Sequence, residues 1–239
     1  MRGLVNLRRI EPRFLTSDDL DEERFLGMRL KGAAALAAYH VRSSLRSSRA
    51  ALVEHLIGTK AASERFGVGD FKPSPTGDVI SKLAGYRTQL PELKMSIPVP
   101  RWLADPGEYA TAIEEEIETY KAILSLAVEM SDHRTNANAR YLMTLLDRHE
   151  RVLAFDSHLI SLFELEARLK AMGVEEVALA TGAKSVNARL KFADRFGLEG
   201  GGSKLIIGLC SDALAEGLNL QGASALVHLD LPTVVRVLE

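Results

Sequence analysis

The stretch KLIIGLCSDALAEGLNLQGASALVHLDLP, residues 204–232, places two continuous apolar runs on either side of a polar segment. Runs that are apolar throughout, rather than alternating, are typical of strands buried on both faces of a parallel sheet. Between them, residues 210–224 carry an acid–glycine pair, an asparagine and a glutamine among leucines. In open α/β sheets, ligands gather at the carboxyl ends of the strands. The polar segment therefore predicts a binding edge that follows a buried strand.

The same alternation extends over the rest of the second half of the chain. Two further apolar runs, RVLAF at 151–155 and EEVALA at 175–180, are each followed by a stretch with helical spacing of its apolar residues. Strands that alternate with helices indicate a parallel sheet covered on both faces. We therefore predict an α/β lobe over residues 132–239. Its functional segments should follow the strand-end residues Phe155, Ala180, Leu209 and Leu229.

Residues 1–131 have a different spacing of apolar residues, which predicts a mostly helical N-terminal segment. Three long stretches show helical spacing, and the first two begin near side chains that cap helices. The candidate caps are Asp18 or Asp21 for the first stretch and Ser47 or Ser48 for the second. Proline and glycine concentrate between residues 67 and 106, which favours loops with one short helix near DVISKLAGY, residues 78–86.

Composition narrows the class of protein. The 239 residues are 46% hydrophobic and 26% charged, with a net charge of −2, which is ordinary for a soluble protein and exerts no overall attraction on nucleic acid or membrane. No apolar run approaches the roughly 20 residues that span a bilayer, and the N-terminus has no signal-peptide core. The single cysteine, Cys210, fits a reducing compartment. We therefore predict a cytoplasmic protein without membrane association.

The segments of the second half resemble, in order and spacing, the second RecA-like lobe of superfamily-two helicases, also called the helicase C-terminal lobe. The pattern S-x-x-x-x-E-G-x-N-x-Q-x-A-x-x-x-x-x-x-D-L-P is closest to the Swi/Snf branch, and within it to bacterial RNA-polymerase-associated ATPases and related bacterial helicases. The resemblance covers about residues 132–239. The stretch RSSLRSSRAAL, residues 42–52, is also similar to a helix that precedes this lobe in many of these enzymes.

The resemblance implies roles for the matched residues. In such a motor, this segment lines the cleft between two lobes and contacts both ATP and nucleic acid. The hydroxyl of Ser211 would contact a phosphate of the nucleic acid. Thr181 and Gly182, between a strand and a helix, would occupy a second phosphate-contact position. The residues that the resemblance assigns to the nucleotide and its coupling network are Glu216, Gly217, Asn219, Gln221 and Asp230.

Three arginines add a basic candidate surface. Arg42, Arg46 and Arg49 are spaced i, i+4 and i+7, which predicts one face of a helix. That face is either a stripe that follows a phosphate backbone or an ordinary solvated basic surface. We include all three arginines among the candidate nucleic-acid contacts.

Other conspicuous residues have simpler interpretations. The acidic run IEEEIE, residues 113–118, predicts a solvated helix face. Trp102, within the proline-rich region, would either stack on a base or anchor the loop onto the helices, and anchoring is the favoured reading. The six histidines show no metal-ligand spacing, so we expect no metal site.

Three motifs of the helicase family are absent from this sequence. It contains no G-x-x-x-x-G-K-[ST] phosphate loop and no D-E-x-H segment, and no Q-R-x-G-R-x-x-R segment follows Asp230. The arginines of that last segment would stabilise the transition state of phosphoryl transfer. The glycine-rich GLEGGGSK, residues 197–204, is no substitute for a phosphate loop, because a strand rather than a helix follows it.

We therefore predict a fragment of an ATP-dependent helicase or translocase, namely its second motor lobe, truncated before the last motif. It is an enzyme by family, yet the fragment alone should hydrolyse no ATP. ATP and Mg²⁺ would bind the intact parent protein and not this fragment. The expected partners are nucleic acid, with double-stranded DNA favoured, the missing first RecA-like lobe, and a protein partner for the helical segment.

Two other functions stay open. The first is a non-catalytic protein-interaction module built on a helicase-like scaffold, in which the helical half recruits a partner. The second is a different doubly wound enzyme, acting on a nucleotide sugar or a methyl donor. The glycine-rich turn that such an enzyme carries after its first strand is missing from RVLAFDSH, residues 151–158. Salt-sensitive DNA binding would separate the motor from the interaction module.

Overall fold

A computed structural model of the chain describes residues 1–12, 21–69, 71–181, 186–198, 205–211 and 220–230. Within these ranges the protein has a mostly helical first half and a second half in which helices alternate with strands. All strand pairs in its two sheets are parallel, which confirms the predicted α/β class. None of the helices in these ranges combines the length and the apolarity that crossing a membrane requires.

The first half is built from helices whose starts the sequence marks. After a short 3₁₀ turn come α1 (Glu22–Ser47), α2 (Arg49–Ile57), α3 (Thr59–Phe66), α4 (Val79–Tyr86), α5 (Arg101–Ala104) and α6 (Pro106–Glu129). The side chain of Asp21 accepts the backbone N–H of Arg24 at 2.7 Å and caps α1. Ser48 accepts the backbone N–H of Ala51 at 2.9 Å and caps α2, so both predicted capping regions are confirmed.

The proline-rich region is mainly loop, as predicted, and it is fastened at several points. Its strand β2 (Glu92–Leu93) pairs with β1 (Arg9–Ile10), a small sheet that the sequence pattern did not indicate. The carboxylate of Glu22, at the start of α1, accepts the backbone N–H groups of residues 96 and 97 at 2.7 and 3.2 Å. Trp102 is half-buried against the helical core, in agreement with the anchoring interpretation.

The acidic run of α6 is not a uniformly solvated face. Glu116 is only 3% exposed, and its two carboxylate oxygens accept the backbone N–H groups of residues 2–4 at 2.9 to 3.4 Å. Helical spacing places Glu116 on the same face as the buried Ile113 and Tyr120. The prediction of a solvated face was therefore wrong for Glu116, whose partners are backbone groups from a distant part of the chain.

The second half forms a parallel sheet with helices on both faces. Its elements are α7 (His133–Leu146), β3 (Arg151–Asp156), α8 (Leu159–Ala171), β4 (Val177–Ala180), α9 (Val186–Phe196), β5 (Ile206–Ser211) and β6 (Ala225–His228). The strand order is β4-β5-β3-β6. The first of these four strands along the chain, β3, therefore lies inside the sheet, between β5 and β6.

Side chains of the central strand alternate between two cores. Val152 and Ala154 pack with α7 and α8 on one face of the sheet, whereas Leu153 and Phe155 pack with α9 on the other. Burial of each such aliphatic or aromatic side chain contributes about 1.5–3 kcal/mol. This two-sided burial explains why RVLAF reads as a continuous apolar run.

The two halves of the chain are in contact. Helix α2 packs against α6 of the helical half and against α8 of the sheet half. Ile160 of α8 belongs to the hydrophobic core of the helical half, and Phe71 stacks on Phe163 with ring centroids 4.8 Å apart. The boundary between residues 131 and 132 stays a prediction, because the core of the helical half extends across it.

Candidate functional site

The carboxyl ends of the four parallel strands lie at one edge of the sheet. Asp156 is the last residue of β3, and it pairs in register with Ser211, the last residue of β5. Thr181 directly follows β4, and Asp230 lies just beyond β6. We call these four positions the carboxyl edge. The predicted site residues Thr181, Ser211 and Asp230 therefore lie along one edge of the sheet.

The other predicted site residues are distributed differently. Gly182, Glu216, Gly217 and Asn219 lie outside the described residues. Gln221 is exposed and belongs to the turn before β6. In that turn the backbone N–H of Ser224 donates to the carbonyl of Arg151, at the amino end of β3. The structure thus places Gln221 at the opposite edge of the sheet from Ser211.

Asp156 is the centre of a buried polar cluster. Its side chain is 1% exposed, and Oδ1 accepts the hydroxyl of Ser47 at 2.7 Å and the backbone N–H of His158 at 2.8 Å. The Oγ atoms of Ser47 and Ser161 lie 2.6 Å apart, and the Oγ atoms of Ser48 and Ser161 are equally close. These hydroxyls bring the end of α1, the start of α2 and the start of α8 to the end of β3.

The imidazole of His158 connects this cluster to Asp230. Its Nε2 lies 3.4 Å from the hydroxyl of Ser44, and its Nδ1 lies 3.0 Å from the hydroxyl of Ser157. Nδ1 is also 3.8 Å from Oδ1 of Asp156. Ser157 in turn donates to Oδ2 of Asp230 at 2.5 Å. One ligand-type atom from each of Asp156, His158 and Asp230 lies within 4.8 Å of the others.

Burial and neighbouring charge shape the protonation of this cluster. Burial raises the pKa of the Asp156 carboxyl, and the charge of Asp230 acts in the same direction, against the hydrogen bonds from His158 and Ser47. Burial disfavours the charged imidazole of His158, but the carboxylate of Asp156, with the charges of Asp230 and Glu54, outweighs it and holds the pKa of His158 above its ordinary value. The polar cluster therefore combines the buried carboxyl group of Asp156 with an imidazole, that of His158, whose protonated form is favoured.

A cleft of about 290 Å³ opens beside the cluster. The residues that line it are Glu54, Lys72, Pro73, Ser74, Pro75, Ser157, His158 and Leu159. Glu54 is buried and accepts the hydroxyl of Thr59 at 2.6 Å, and burial raises the pKa of its carboxyl. An imidazole, hydroxyls, a carboxyl group and an exposed lysine thus face one space. These groups suit a small ligand that carries phosphate or hydroxyl groups.

The hydroxyl of Ser211 has no hydrogen-bond partner in the part of the chain that the structure describes, although the residue is only 5% exposed. Residues in register on neighbouring parallel strands direct their side chains to the same face, so this hydroxyl lies on the face that Asp156 occupies. A buried hydroxyl without a partner costs about 1–3 kcal/mol. Ser211 is therefore a group that a bound ligand would satisfy.

The three arginines do not share one helical face. Arg42 and Arg46 are exposed on α1, but that helix ends at Ser47 and Ser48 is fully extended, so Arg49 opens the next helix. The predicted common face was wrong, because the Ser48 cap breaks the helix between the second and the third arginine.

Arg49 has structural partners of its own. Its guanidinium donates to the carbonyl of Met130 and forms an ion pair with Asp132, and its central carbon lies 5.0 Å from the ring centroid of Phe66. These contacts join the start of α2 to the start of α7. Among the three arginines, Arg42 and Arg46 are the ones that present exposed side chains to solvent.

Sequence reasoning missed the aspartate and the histidine of the polar cluster. The signal was present, because the triplet Asp156, Ser157 and His158 directly follows a buried apolar run at one of the four predicted functional segments. The prediction of no metal site was based on the spacing of histidines along the sequence, which does not reveal residues that only the fold brings together. Asp230 reaches the cluster because β6 pairs with β3 in the sheet.

Comparison with known proteins finds no protein-family model that matches this chain and no curated protein with significant similarity to it. The fold and the site define an α/β protein with a polar carboxyl edge and an adjoining cleft.

Proposed function

We propose that the chain is the second motor lobe of an ATP-dependent helicase or translocase of the Swi/Snf type, and that its carboxyl edge contacts nucleic acid. The observation that carries the proposal is the buried hydroxyl of Ser211 at the carboxyl end of a central parallel strand, which has no hydrogen-bond partner among the described residues. The motif resemblance assigns this hydroxyl to a phosphate. Parallel α/β sheets bind their ligands at this edge.

The exposed arginines of α1 support the same proposal. Arg46 directly precedes Ser47, whose hydroxyl bonds to Asp156, and Arg42 lies about one turn earlier on the same helix. Two cations thus lie near the carboxyl edge, where they would neutralise phosphates of a duplex. Arg46 is therefore the sequence neighbour of a residue that bonds to the polar cluster.

In this proposal the chain supplies one wall of a motor cleft. A first RecA-like lobe supplies the phosphate loop and holds ATP with Mg²⁺, and closure of the two lobes couples nucleotide binding to movement along DNA. Because this sequence has no phosphate loop, the chain alone hydrolyses no ATP. A motor of this type acts on double-stranded DNA in the bacterial cytoplasm, and that is where we place the protein.

The test is binding of a fluorescently labelled DNA duplex, followed by anisotropy at low and at physiological salt. We expect affinity that falls with salt, and a further loss of about 3- to 10-fold for Ser211→Ala, the effect of one hydrogen bond. Arg46→Ala should reduce the salt slope by about one.

The matched control is Ser224→Ala. Ser224 is exposed at the opposite edge of the sheet, so its loss should leave DNA affinity unchanged. Absence of salt-dependent binding, or equal loss for both serine variants, would reject the proposal. A stable complex with another protein, in the absence of any DNA affinity, would instead favour the interaction module.

A further inference from the structure

We propose that Asp156, His158 and Asp230 bind a divalent metal ion at the carboxyl edge, without the help of a nucleotide. This goes beyond the motor function, in which Mg²⁺ accompanies ATP on the first lobe. The two carboxylates and the imidazole each offer one ligand atom, and these atoms lie within 4.8 Å of one another. Only small adjustments of side chains would bring all three to metal-ligand distances of about 2.0–2.2 Å.

The backbone holds the three ligands at adjacent positions. His158 follows Asp156 after one residue, and its backbone N–H donates to Oδ1 of that carboxylate at 2.8 Å. Asp230 comes from the neighbouring strand, where the backbone N–H of Leu229 donates to the carbonyl of Phe155 at 2.9 Å and continues the β3–β6 ladder. The ligands therefore come from the ends of two paired strands.

A second sign of a ligand, which the DNA-binding proposal also uses, is Ser211. Ser211 is only 5% exposed, and its hydroxyl has no hydrogen-bond partner within the described residues. Because Ser211 pairs in register with Asp156, both side chains leave the sheet on the same face. In the absence of nucleic acid, a water bound to a metal at the carboxyl edge is a suitable partner for that hydroxyl, since such a water donates hydrogen bonds.

The donor set indicates the kind of ion. Two carboxylates with one imidazole favour a first-row ion such as Mn²⁺ or Zn²⁺, because imidazole suits these metals better than it suits Ca²⁺, which takes six to eight oxygen ligands. Water, or the hydroxyl of Ser157, would complete the coordination. The adjoining cleft, which Ser157 and His158 line, would then open onto the ion.

The experiment is a titration of the purified chain with Mn²⁺ alone, in which electron paramagnetic resonance measures the free ion. We expect one Mn²⁺ per chain, competition by Zn²⁺, and affinity at least about tenfold weaker for Asp230→Asn. Asp147→Asn is the control, because Asp147 is an exposed aspartate on the loop after α7 and its loss should change nothing.

A second measurement avoids dependence on the variants folding. In the nuclear magnetic resonance spectrum of the unaltered chain, Mn²⁺ should broaden the imidazole signals of His158 at substoichiometric concentration and spare those of the exposed His133. Equal broadening of both histidines, or no stoichiometric binding, would overturn the proposal. No nucleic acid is present in either measurement, so this result is independent of the DNA-binding test.

Discussion

The hydroxyl of Ser47 lies 2.7 Å from Oδ1 of Asp156 and joins the last residue of α1, the longest helix in the described part of the chain, to the last residue of a central strand. Both residues are at most 2% exposed. A hydrogen bond to a charged acceptor contributes about 1.5–3 kcal/mol, and a buried acceptor that loses its donor incurs a desolvation cost of similar size. This contact therefore contributes to how firmly the helical half is held against the sheet.

Ser47→Ala should lower the free energy of unfolding by about 2 kcal/mol, because it removes a donor from the buried carboxylate of Asp156. Urea denaturation followed by circular dichroism measures the change. Ser43→Ala, at a half-buried position on the same helix, should stay within about 0.5 kcal/mol of the unaltered protein. Equal stability of the two variants would contradict the role given to Ser47.

Glu116→Gln should destabilise the protein by about 2–3 kcal/mol. Gln retains one acceptor oxygen but directs an NH₂ group toward the backbone N–H groups of residues 2–4, which the carboxylate now accepts. Glu115→Gln is the matched control, since Glu115 forms an exposed ion pair with Arg2 at 2.8 Å and such pairs contribute less than about 1 kcal/mol. Thermal unfolding that ranks the two variants in the reverse order would disprove this account.

His55 should make the protein less stable in acid. Its Nδ1 lies 2.9 Å from the carbonyl of Thr76 and must donate there, so Nε2 carries no proton. Burial, followed by the charge of His40, lowers the pKa of His55 to about 4. The charges of His158 and Lys82 also lower the pKa of His55, whereas the hydrogen bond to Thr76 raises it.

Because the unfolded imidazole titrates near 6.5, the stabilising effect of neutral His55 is complete above about pH 6.5 and declines as the pH falls toward 4. The difference amounts to at most about 3 kcal/mol. Urea denaturation at pH 7 and pH 4.5 should show a smaller loss for His55→Gln than for the unaltered protein. His133→Gln, at an exposed position, should keep the original pH dependence; parallel curves for all three proteins would refute the assignment.

Gly208→Ala should lower stability by about 1–3 kcal/mol through overpacking. A Cβ atom at this position of β5 would lie 2.6 Å from side-chain atoms of Leu153 and of Phe196, both in the core beneath α9. Gly85→Ala should have the opposite sign, because Gly85 is on α4 with no atom within 4 Å of its added Cβ, and alanine favours the helix. Differential scanning calorimetry of both variants measures the predicted difference. An unchanged stability for Gly208→Ala would show that the core accommodates the added methyl group and would contradict the prediction.

Much of the fold could be predicted because it depends on patterns that are local in the sequence. A strand buried on both faces is apolar along most of its length, so β3 and β5 were visible as apolar runs that lead to Asp156 and Ser211. The adjacent Ser47 and Ser48 marked the start of α2. Glu116 could not be predicted, because its partners are backbone N–H groups, which every non-proline residue possesses. The pairing of β1 with β2 could not be predicted either, because two-residue strands are too short to show a sequence pattern.

The site was predictable to the extent that strand ends define it. Thr181 and Ser211 follow apolar runs, and parallel pairing brings such ends to one edge whatever the order of the strands. The approach of Asp230 to Asp156 depends on the order itself, which places β6 beside β3. Gln221 lies at the opposite edge of the sheet from Ser211, because β5 ends at one edge and the parallel strand β6 begins at the other, which motif spacing alone does not reveal.

Helix α1, at 1.5 Å per residue for its 26 residues, is about 39 Å long. At one end Glu22 accepts backbone N–H groups of the proline-rich loop, and at the other Ser47 is bonded to Asp156. Both ends of the helix are thus held by hydrogen bonds, and its length sets the separation between that loop and the carboxyl edge. We expect a shift at either end to be transmitted along this helix, which would couple the proline-rich loop to the carboxyl edge over that distance.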